Sequence, residues 1–331
     1  MNSQFAHPDV VVVGGGMAGL SAACYLARAG VAVTLFEKAA GLGGRAATQK
    51  YEEYCFNRGV HALYYGGAAS QVLQELGITY GGHKPKGYFV LHEGKPHLFP
   101  ANPLTLLRTD LLDAADKLEL TRLLPMLAML KAHELGRMSI QEWLEHHVQR
   151  PRVRQLLASI ARTFTYSAAL EQVSAEVFVT QMQLSLKHNV RYIDGGWQTL
   201  VDGLRRAAEQ AGVHIVSGTR VEAVEHQDGH VQGTRLRDGS IVPASAVIIA
   251  TDPQEAAKLV DDSTYPALRQ MVDAIVPIQV ACLDVALRRL PSSRYPVVFD
   301  LDRPRFQTVQ SLFTKIAPQA RWSSDTYHQI P

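Results

Sequence analysis

A glycine-rich turn between an apolar strand and a helix constrains the fold of this chain more than any other feature. Val10–Val13 is a fully apolar, β-branched run of the kind found in buried parallel strands. A helical pattern follows over Met17–Ala29, and Val31–Phe36 predicts a second strand. Together the three segments form a βαβ unit of the length that a dinucleotide-binding fold requires.

Three glycines of this turn have the G-x-G-x-x-G spacing, and each has a physical role. Gly14 permits the tight turn, Gly16 lets a pyrophosphate approach the backbone, and Gly19 lets the helix pack closely on the strand. The pyrophosphate would then meet the free N–H groups of the helix start, at Met17 and Ala18. We therefore predict a dinucleotide site here rather than a purely structural turn.

The residues after the second strand indicate which dinucleotide is bound. Glu37, followed by Lys38, is placed to accept hydrogen bonds from a ribose hydroxyl. Gly43 and Gly44 then supply a second glycine turn, and Arg45 supplies a cation. A nicotinamide dehydrogenase has no evident use for this turn, whereas a longer cofactor lying across the sheet does. The spacing favours FAD, and the alternative is a surface loop with a solvated arginine.

Composition narrows the class of protein. A length of 331 residues suggests about two domains, and a net charge of +2 argues against nucleic acid as the main partner. The three cysteines lie far apart, without the spacing of a disulfide or a metal site. No signal peptide is recognisable, and no apolar run reaches the roughly 18 residues of a membrane-spanning helix. We expect a cytoplasmic protein without a bound metal; the sequence does not specify its oligomeric state.

The pattern changes between Asn102 and about Lys187, where long leucine-rich helices dominate. One of them starts with the capping box Ser139–Glu142. Strand patterns return after Gly196, and Gln279–Leu287 is predicted as one of the later strands. The predicted fold class is α/β, a Rossmann-like FAD-binding domain with an inserted mixed helical and β substrate domain. The FAD-binding domain would comprise residues 1–85 and 190–262, and the substrate domain residues 86–189 and 263–331.

These motifs, in this order, resemble those of the flavin-dependent amine oxidase and phytoene desaturase superfamily. The resemblance covers residues 8–65 and 190–262, and its later motifs favour the carotenoid-desaturase-like branch. The matching segments are Val10–Gly19, Glu37-Lys38, Gly43-Gly44-Arg45, Phe56–His61, Gly195-Gly196-Trp197, Thr219-Arg220-Val221 and Val247–Pro253.

The resemblance implies an FAD-dependent oxidoreductase that removes a hydride from a small apolar substrate, such as a polyene. Oxygen, a quinone or another acceptor would reoxidise the flavin. It also implies that His61 lies beside the flavin and that the backbone of Val221 contacts the adenine. No catalytic residue is predicted, because the flavin carries the difficult step. An amine or protoporphyrinogen oxidase of the same superfamily, and a non-catalytic truncated dinucleotide-binding fragment, remain as alternatives.

Two features bear on the completeness of the chain and on its surface. The superfamily normally carries a C-terminal glycine-rich FAD-binding section, but no glycine follows Gly239, so we expect a C-terminally incomplete member. The basic cluster Arg150, Arg152 and Arg154 is interpreted as a solvated helix start, with peripheral contact with a membrane as the alternative. Leu118–Leu135 is interpreted as core or substrate-cavity lining rather than as a membrane anchor.

Overall fold

The computed structural model describes residues 8–260, 265–287, 290 and 294–316. A parallel four-stranded sheet, in the order β10-β2-β1-β14, lies at its centre. β1 and β2 are mostly apolar and buried, as expected of parallel strands covered on both faces, whereas the edge strands β10 and β14 are only partly buried. Their bounds are β1 (Val10–Val13), β2 (Val33–Glu37), β10 (His214–Ser217) and β14 (Ala246–Ile249).

Two long helices pack together on one face of this sheet. Helix α1 (Met17–Arg28) buries Leu20 and Cys24, and α8 (Gln198–Gln210) buries Leu200 and Leu204. Each helix is followed by a glycine with positive φ, Gly30 after α1 and Gly212 after α8, as the sequence predicted. A third helix, α2 (Ala68–Glu75), adds to the same core.

The other face of the central sheet is covered by an antiparallel sheet in the order β11-β12-β13 and by a short helix. That helix, α9 (Pro253–Leu259), begins with Asp252 as N-cap and proline at the first helical position, which confirms the prediction for this turn. The strands are β11 (Val221–Gln227), β12 (His230–Leu236) and β13 (Ile241–Pro243).

Two small antiparallel sheets connect the central sheet with the rest of the chain, one pairing β3 with β4 and the other in the order β5-β9-β6. A single turn of 3₁₀ helix, Gly44–Ala46, precedes the first of them. The strands are β3 (Thr48–Tyr51), β4 (Tyr54–Asn57), β5 (Leu63–Tyr64), β6 (Gly82–His83) and β9 (Val190–Ile193).

The predicted helical region is confirmed as five helices around the buried Trp143 and Phe178. Ser139 and Glu142 form the predicted capping box, with both hydrogen bonds present. Leu120, Leu123 and Leu127 are buried, which confirms that Leu118–Leu135 contributes to a core. The helices are α3 (Pro103–Arg108), α4 (Ala114–Met129), α5 (Ile140–His147), α6 (Pro151–Thr165) and α7 (Ala175–Lys187), with 3₁₀ turns at Ala132–Leu135 and Gln310–Leu312.

A mixed sheet in the order β16-β15-β7-β8 packs beside these helices. β7 and β8 form a hairpin whose turn lies at Glu93-Gly94. This arrangement is compatible with a separate substrate domain, whose boundaries stay a prediction. The strands are β7 (Tyr88–His92), β8 (Lys95–Leu98), β15 (Val297–Asp300) and β16 (Phe306–Thr308).

The predicted strand Gln279–Leu287 is wrong. After α10 (Pro266–Asp273) the chain has no regular structure over residues 275–287, and no described strand pairs with this stretch. Its apolar side chains are exposed, among them Val276 and Leu283, the latter with 87% of its surface accessible. The alternation of apolar residues indicates strand propensity, but a strand forms only where a neighbour completes its hydrogen bonds.

Candidate functional site

The two glycine turns hold each other in place at the carboxyl end of the central sheet. Gly43 N donates a hydrogen bond to the carbonyl oxygen of Gly15 (2.8 Å), and Gly16 and Gly43 form an isolated parallel bridge. Gly14 and Gly43 both adopt φ values near +114° and +113° that disfavour any other residue. Ligands of open α/β sheets bind at this end of the strands, so the turns lie where a dinucleotide would bind.

The glycines of the two turns divide into two groups, according to what a Cβ atom would contact. A Cβ on Gly19 would lie 1.9 Å from the Gly14 carbonyl oxygen, and one on Gly14 would lie 2.6 Å from the Ala250 carbonyl oxygen. These two glycines are required by contacts within the protein. A Cβ on Gly16 would meet nothing nearer than 4.0 Å, and one on Gly44 nothing within 4 Å. Gly16 and Gly44 therefore leave open space where a ligand can approach the backbone.

The start of α1 is free to bind an anion. Gly16 is its N-cap and offers no side chain to the first N–H groups, at Met17 and Ala18. Ala18 is exposed and Met17 half-buried. The 12 residues of α1 direct their positive dipole end towards this point, which is the arrangement that binds pyrophosphate in dinucleotide folds.

Glu37 ends β2 with its carboxylate held in the turn. Its Oε2 accepts a hydrogen bond from Gly15 N (2.7 Å) and its Oε1 accepts one from Ala39 N (2.8 Å). The side chain is largely buried, yet it lines a cavity that opens beside the glycine turn. Carboxylate oxygens can accept further bonds, so Glu37 can still receive a ribose hydroxyl.

This nucleotide cavity has a volume of about 250 Å³ and is formed by β1, β2, the start of β11 and α9. Val221 lies in its wall, together with Gly14, Glu37 and Lys38, so four predicted cofactor residues meet here. Arg220 lies beside them. The cavity brings together residues that are more than 180 positions apart in the chain, as the resemblance implied.

The rim of the nucleotide cavity carries a cluster of charges that the sequence analysis missed. Glu255 lies 3.0 Å from the Lys258 ammonium, 3.6 Å from the Arg220 guanidinium and 3.7 Å from the Lys38 ammonium. The hydrogen bond from Lys258, with the charges of Lys38 and Arg220, lowers the pKa of Glu255. The D-x-x-E pattern from Asp252 to Glu255 marked this helix start but gave no indication of its partners.

His61 connects the second glycine turn to the start of α8. Its Nε2 lies 2.8 Å from the Arg45 carbonyl oxygen, and its ring stacks on Trp197 with 4.6 Å between centroids. The Arg45 side chain is exposed and makes no ion pair with any other described residue, so it is available to a phosphate. His61, Arg45 and Gly44 therefore lie on one side of the same turn, while their contact with a flavin stays a prediction.

A second connection, between β3–β4 and α8, had no recognisable signal in the sequence. The Asn57 side-chain oxygen accepts hydrogen bonds from Trp197 N (3.0 Å) and from the Thr48 hydroxyl (2.8 Å). The Thr48 hydroxyl in turn accepts one from Gln198 N (3.0 Å). These side chains supply partners to the first N–H groups of α8, which has no N-cap side chain of its own.

The site geometry fits FAD. Gly16 and Gly44 face open space, and the start of α1 has no side-chain cap. The Glu37 carboxylate borders the nucleotide cavity. In such a complex the start of α1 and Gly16 would hold the pyrophosphate, and Glu37 the ribose. Gly43, Gly44, Arg45 and His61 would line the path towards the flavin ring.

A second cavity, of about 200 Å³, lies between the helices and the mixed sheet. Val60 and Ala62, on either side of His61, form part of its wall, so it adjoins the second glycine turn. None of the described residues that line it carries a charge. Most of its lining is aliphatic or aromatic, including Leu120, Leu124, Leu156, Leu157, Ile160, Phe164 and Phe299. Thr163, Ser185 and Asn189 are polar members of the lining, besides four tyrosines.

The arginines of the basic cluster at the start of α6 are partly exposed, and each guanidinium also has a partner within the protein. Arg150 forms ion pairs with Asp113 (2.5 Å) and Asp116 (2.7 Å), and Arg152 lies 2.6 Å from His92 Nε2. Arg154 donates to the Val148 carbonyl oxygen (2.7 Å). The helix start itself is confirmed.

No metal ligand group and no spanning helix are found in the part of the chain that the structure describes. Its histidines, cysteines and carboxylates form no cluster of three or more that could hold a metal ion. None of its helices combines the length and apolar character needed to cross a membrane.

Comparison with known proteins decides the family. The sequence model of the flavin containing amine oxidoreductases matches residues 17–281, most of the chain. The chain belongs to the flavin containing amine oxidoreductase family. The family and the α/β fold class are thus confirmed, and the family is one of flavin-containing proteins, as the predicted FAD cofactor requires.

Individual relatives in this family are distant. The 4,4'-diaponeurosporene oxygenase of Staphylococcus aureus (strain bovine RF122 / ET3-1) is 23% identical over 275 residues, which cover 72% of this chain and 54% of that protein. The carotenoid 3,4-desaturase of Haloarcula japonica is 25% identical, over 68% of this chain and 52% of that protein. The chain therefore spans about half the length of these curated relatives.

A solved structure supports the fold. An oxidoreductase from Methanosarcina mazei superimposes with a TM-score of 0.69 at 21% identity, over 81% of this chain and 65% of that one. At this level of identity the likeness establishes the fold alone.

Proposed function

We propose that the chain binds FAD across its two glycine turns and removes a hydride from an apolar substrate, with a polyene as the favoured class. The observation that carries the proposal is the uncharged cavity beside Val60, His61 and Ala62. When bound, FAD supplies the hydride acceptor. The names of the relatives, a diaponeurosporene oxygenase and a carotenoid desaturase, support a polyene.

The chain's own residues would bind and orient both molecules. Helix α1 and Glu37 hold the nucleotide end, while the aliphatic walls of the second cavity exclude water and align an apolar chain with the turn that holds Arg45. No protein acid or base is required for removal of a hydride from an allylic carbon.

The lining of the second cavity argues against an amine as substrate. An alkylammonium ion taken out of water needs a carboxylate or several hydrogen-bond acceptors beside it. None of the described lining residues is acidic. An amine oxidase would therefore have to bind its substrate in the neutral form, because the lining supplies uncharged hydrogen-bond partners but no counter-charge for an ammonium ion.

The test begins with the visible absorption spectrum of the purified protein, before and after denaturation and filtration. Flavin bands that pass into the filtrate are expected, since FAD is held without a covalent bond. A protein that stays colourless after incubation with FAD would instead be a non-catalytic dinucleotide-binding fragment.

The substrate class is tested by adding ligands to the FAD-loaded protein without oxygen. A polyene should bleach the oxidised-flavin bands, and putrescine should not. Bleaching by putrescine alone would establish an amine as the substrate class. Ala62→Leu narrows the cavity and should slow bleaching while leaving the FAD content unchanged. Readmission of oxygen, or addition of a quinone, then identifies the acceptor by the rate at which colour returns.

We also propose peripheral contact with a lipid surface through α3. Leu104 and Leu107, three residues apart on this helix, expose 58% and 74% of their surface, with Arg108 beside them. Apolar substrates dissolve in lipid, so contact with a lipid surface would bring the protein to its substrate. Co-sedimentation with anionic vesicles should be lost in the Leu104→Ser, Leu107→Ser double variant and retained in Ile241→Ser, at an exposed apolar position of β13; binding retained by the double variant would refute it.

A further inference from the structure

Four tyrosines from four different elements meet in the largely apolar cavity. Tyr64 comes from β5, Tyr88 from β7, Tyr192 from β9, and Tyr166 from the end of α6. Hydrocarbon walls need no phenol groups, and phenylalanine would fill the same space without a hydroxyl to desolvate. The cluster therefore requires its own explanation.

The four tyrosines line the same cavity. Burial raises the pKa of Tyr64, and the neighbouring Tyr166 and Tyr192 raise it further. Burial likewise raises the pKa of Tyr192 to about 12, with added contributions from Tyr88 and Tyr166. Each hydroxyl stays protonated at every physiological pH, so each is a hydrogen-bond donor.

Not all of these donors have acceptors. The Tyr88 hydroxyl is bonded to the Asn189 side chain, with 3.3 Å between Oη and Oδ1. In the described part of the chain, no hydrogen bond joins the hydroxyl of Tyr64 or Tyr166 to another residue. The backbone of Tyr166 also adopts a left-handed conformation, with φ of 56°, which residues other than glycine rarely adopt. The hydroxyl of Tyr64 thus lies in the cavity without a bonded acceptor, and so does that of Tyr166, a residue with 37% of its surface exposed.

We propose that the apolar substrate carries an oxygen acceptor, a carbonyl or hydroxyl group, which binds to the hydroxyls of Tyr64 and Tyr166. The inference rests on the proposed function and narrows its substrate class from hydrocarbons to oxygen-bearing apolar molecules. A site built to donate hydrogen bonds discriminates against an analogue that leaves the donors unpaired.

The test compares two ligands of one shape, octan-2-one and 2-methyloctane, in which a methyl group replaces the carbonyl oxygen. Both are titrated into the FAD-loaded full chain, and displacement of Nile red reports their affinity. The ketone should bind about five- to tenfold more tightly, as expected for one or two neutral hydrogen bonds.

The variants isolate the two hydroxyls. The Tyr64→Phe, Tyr166→Phe double variant should bind both ligands with the affinity of the hydrocarbon. Tyr51→Phe, which removes a hydroxyl from the exposed side of β3, should retain the preference and serves as the matched control. Unchanged binding of 2-methyloctane by the double variant shows that its cavity is intact.

The outcomes distinguish failure of the tyrosine inference from failure of the proposed function. Equal affinities in the wild-type protein, or a preference that survives in the double variant, would overturn the tyrosine inference and leave an apolar substrate in place. Absence of displacement by either ligand, with FAD bound, would overturn the apolar cavity as a substrate site and the inference together.

Discussion

Replacing Gly16 by alanine separates what the glycine turn does for the fold from what it does for the cofactor. The new methyl group meets no atom nearer than 4.0 Å, and φ of −78° suits alanine. A compatible Gly→Ala change alters the free energy of unfolding by about 1 kcal/mol or less. The apoprotein should therefore melt within about 4 °C of the wild type.

FAD binding should respond strongly to the same change, since the methyl group occupies the space through which the pyrophosphate reaches the N–H groups of α1. Loss of one charge-assisted hydrogen bond removes about 1.5–3 kcal/mol of binding free energy. The Kd for FAD should rise about 10- to 150-fold. Quenching of FAD fluorescence on titration with apoprotein measures the Kd, and scanning fluorimetry measures the Tm.

Two further glycines provide the controls. Gly19→Ala places its methyl 1.9 Å from a backbone oxygen, so it should lose about 1–3 kcal/mol or more of stability by overpacking. Gly41→Ala meets nothing within 4 Å and lies outside the proposed pyrophosphate path, so both Kd and Tm should be unchanged. An unchanged Kd in Gly16→Ala would refute the approach of a cofactor to this turn.

Three other perturbations follow from the contacts. Glu37→Gln should raise the Kd for FAD at least about tenfold, measured by the same titration, because a hydrogen bond to a charged acceptor is lost. Asn57→Ala should lower the free energy of unfolding in urea by about 1–3 kcal/mol, because Trp197 N loses its acceptor. The Glu93 N–H and then His92 hold the pKa of Asp302 below its ordinary value. The ionised form therefore stabilises the fold above about pH 4, and this contribution should disappear as the pH falls further, as scanning fluorimetry across pH would show.

Matched variants sharpen the tests of Asn57 and Asp302. Gln49→Ala, at an exposed position of β3, should leave the urea transition unchanged where Asn57→Ala shifts it. Asp302→Asn should reduce the loss of Tm in acid. Glu53→Gln, at an exposed position that forms no ion pair with another described residue, should not. An acid transition identical in wild type and Asp302→Asn would contradict the role given to this carboxylate.

Local sequence signals predicted the nucleotide-binding half well because each acts over a few residues. The run Val10–Val13, the turn at Gly14 and the N-cap at Asp252 are all set by backbone conformation and side-chain shape within one segment. The family resemblance then implied that Val221 joins them, which periodicity alone does not indicate.

Contacts between distant segments could not be predicted in the same way. Asn57 and Trp197 are 140 positions apart, and neither has a pattern that names the other. The tyrosine cluster likewise draws on four elements. The predicted strand Gln279–Leu287 is wrong for the converse reason. Its residues have local strand propensity, but a strand is stabilised by pairing with another segment, and no described strand pairs with it.

The order of strands in the central sheet has a consequence during synthesis on the ribosome. β1 emerges before its neighbour β14, which ends only at Ile249, and the nucleotide cavity also needs Leu259. Helices α3 to α7 are complete by Lys187 and can collapse earlier on their own local contacts. The nascent chain must therefore keep one apolar edge of β1 unpaired while about 230 further residues are translated, a long interval in which a chaperone would be useful. The nucleotide cavity can therefore form, and bind the cofactor, only after translation has passed Leu259.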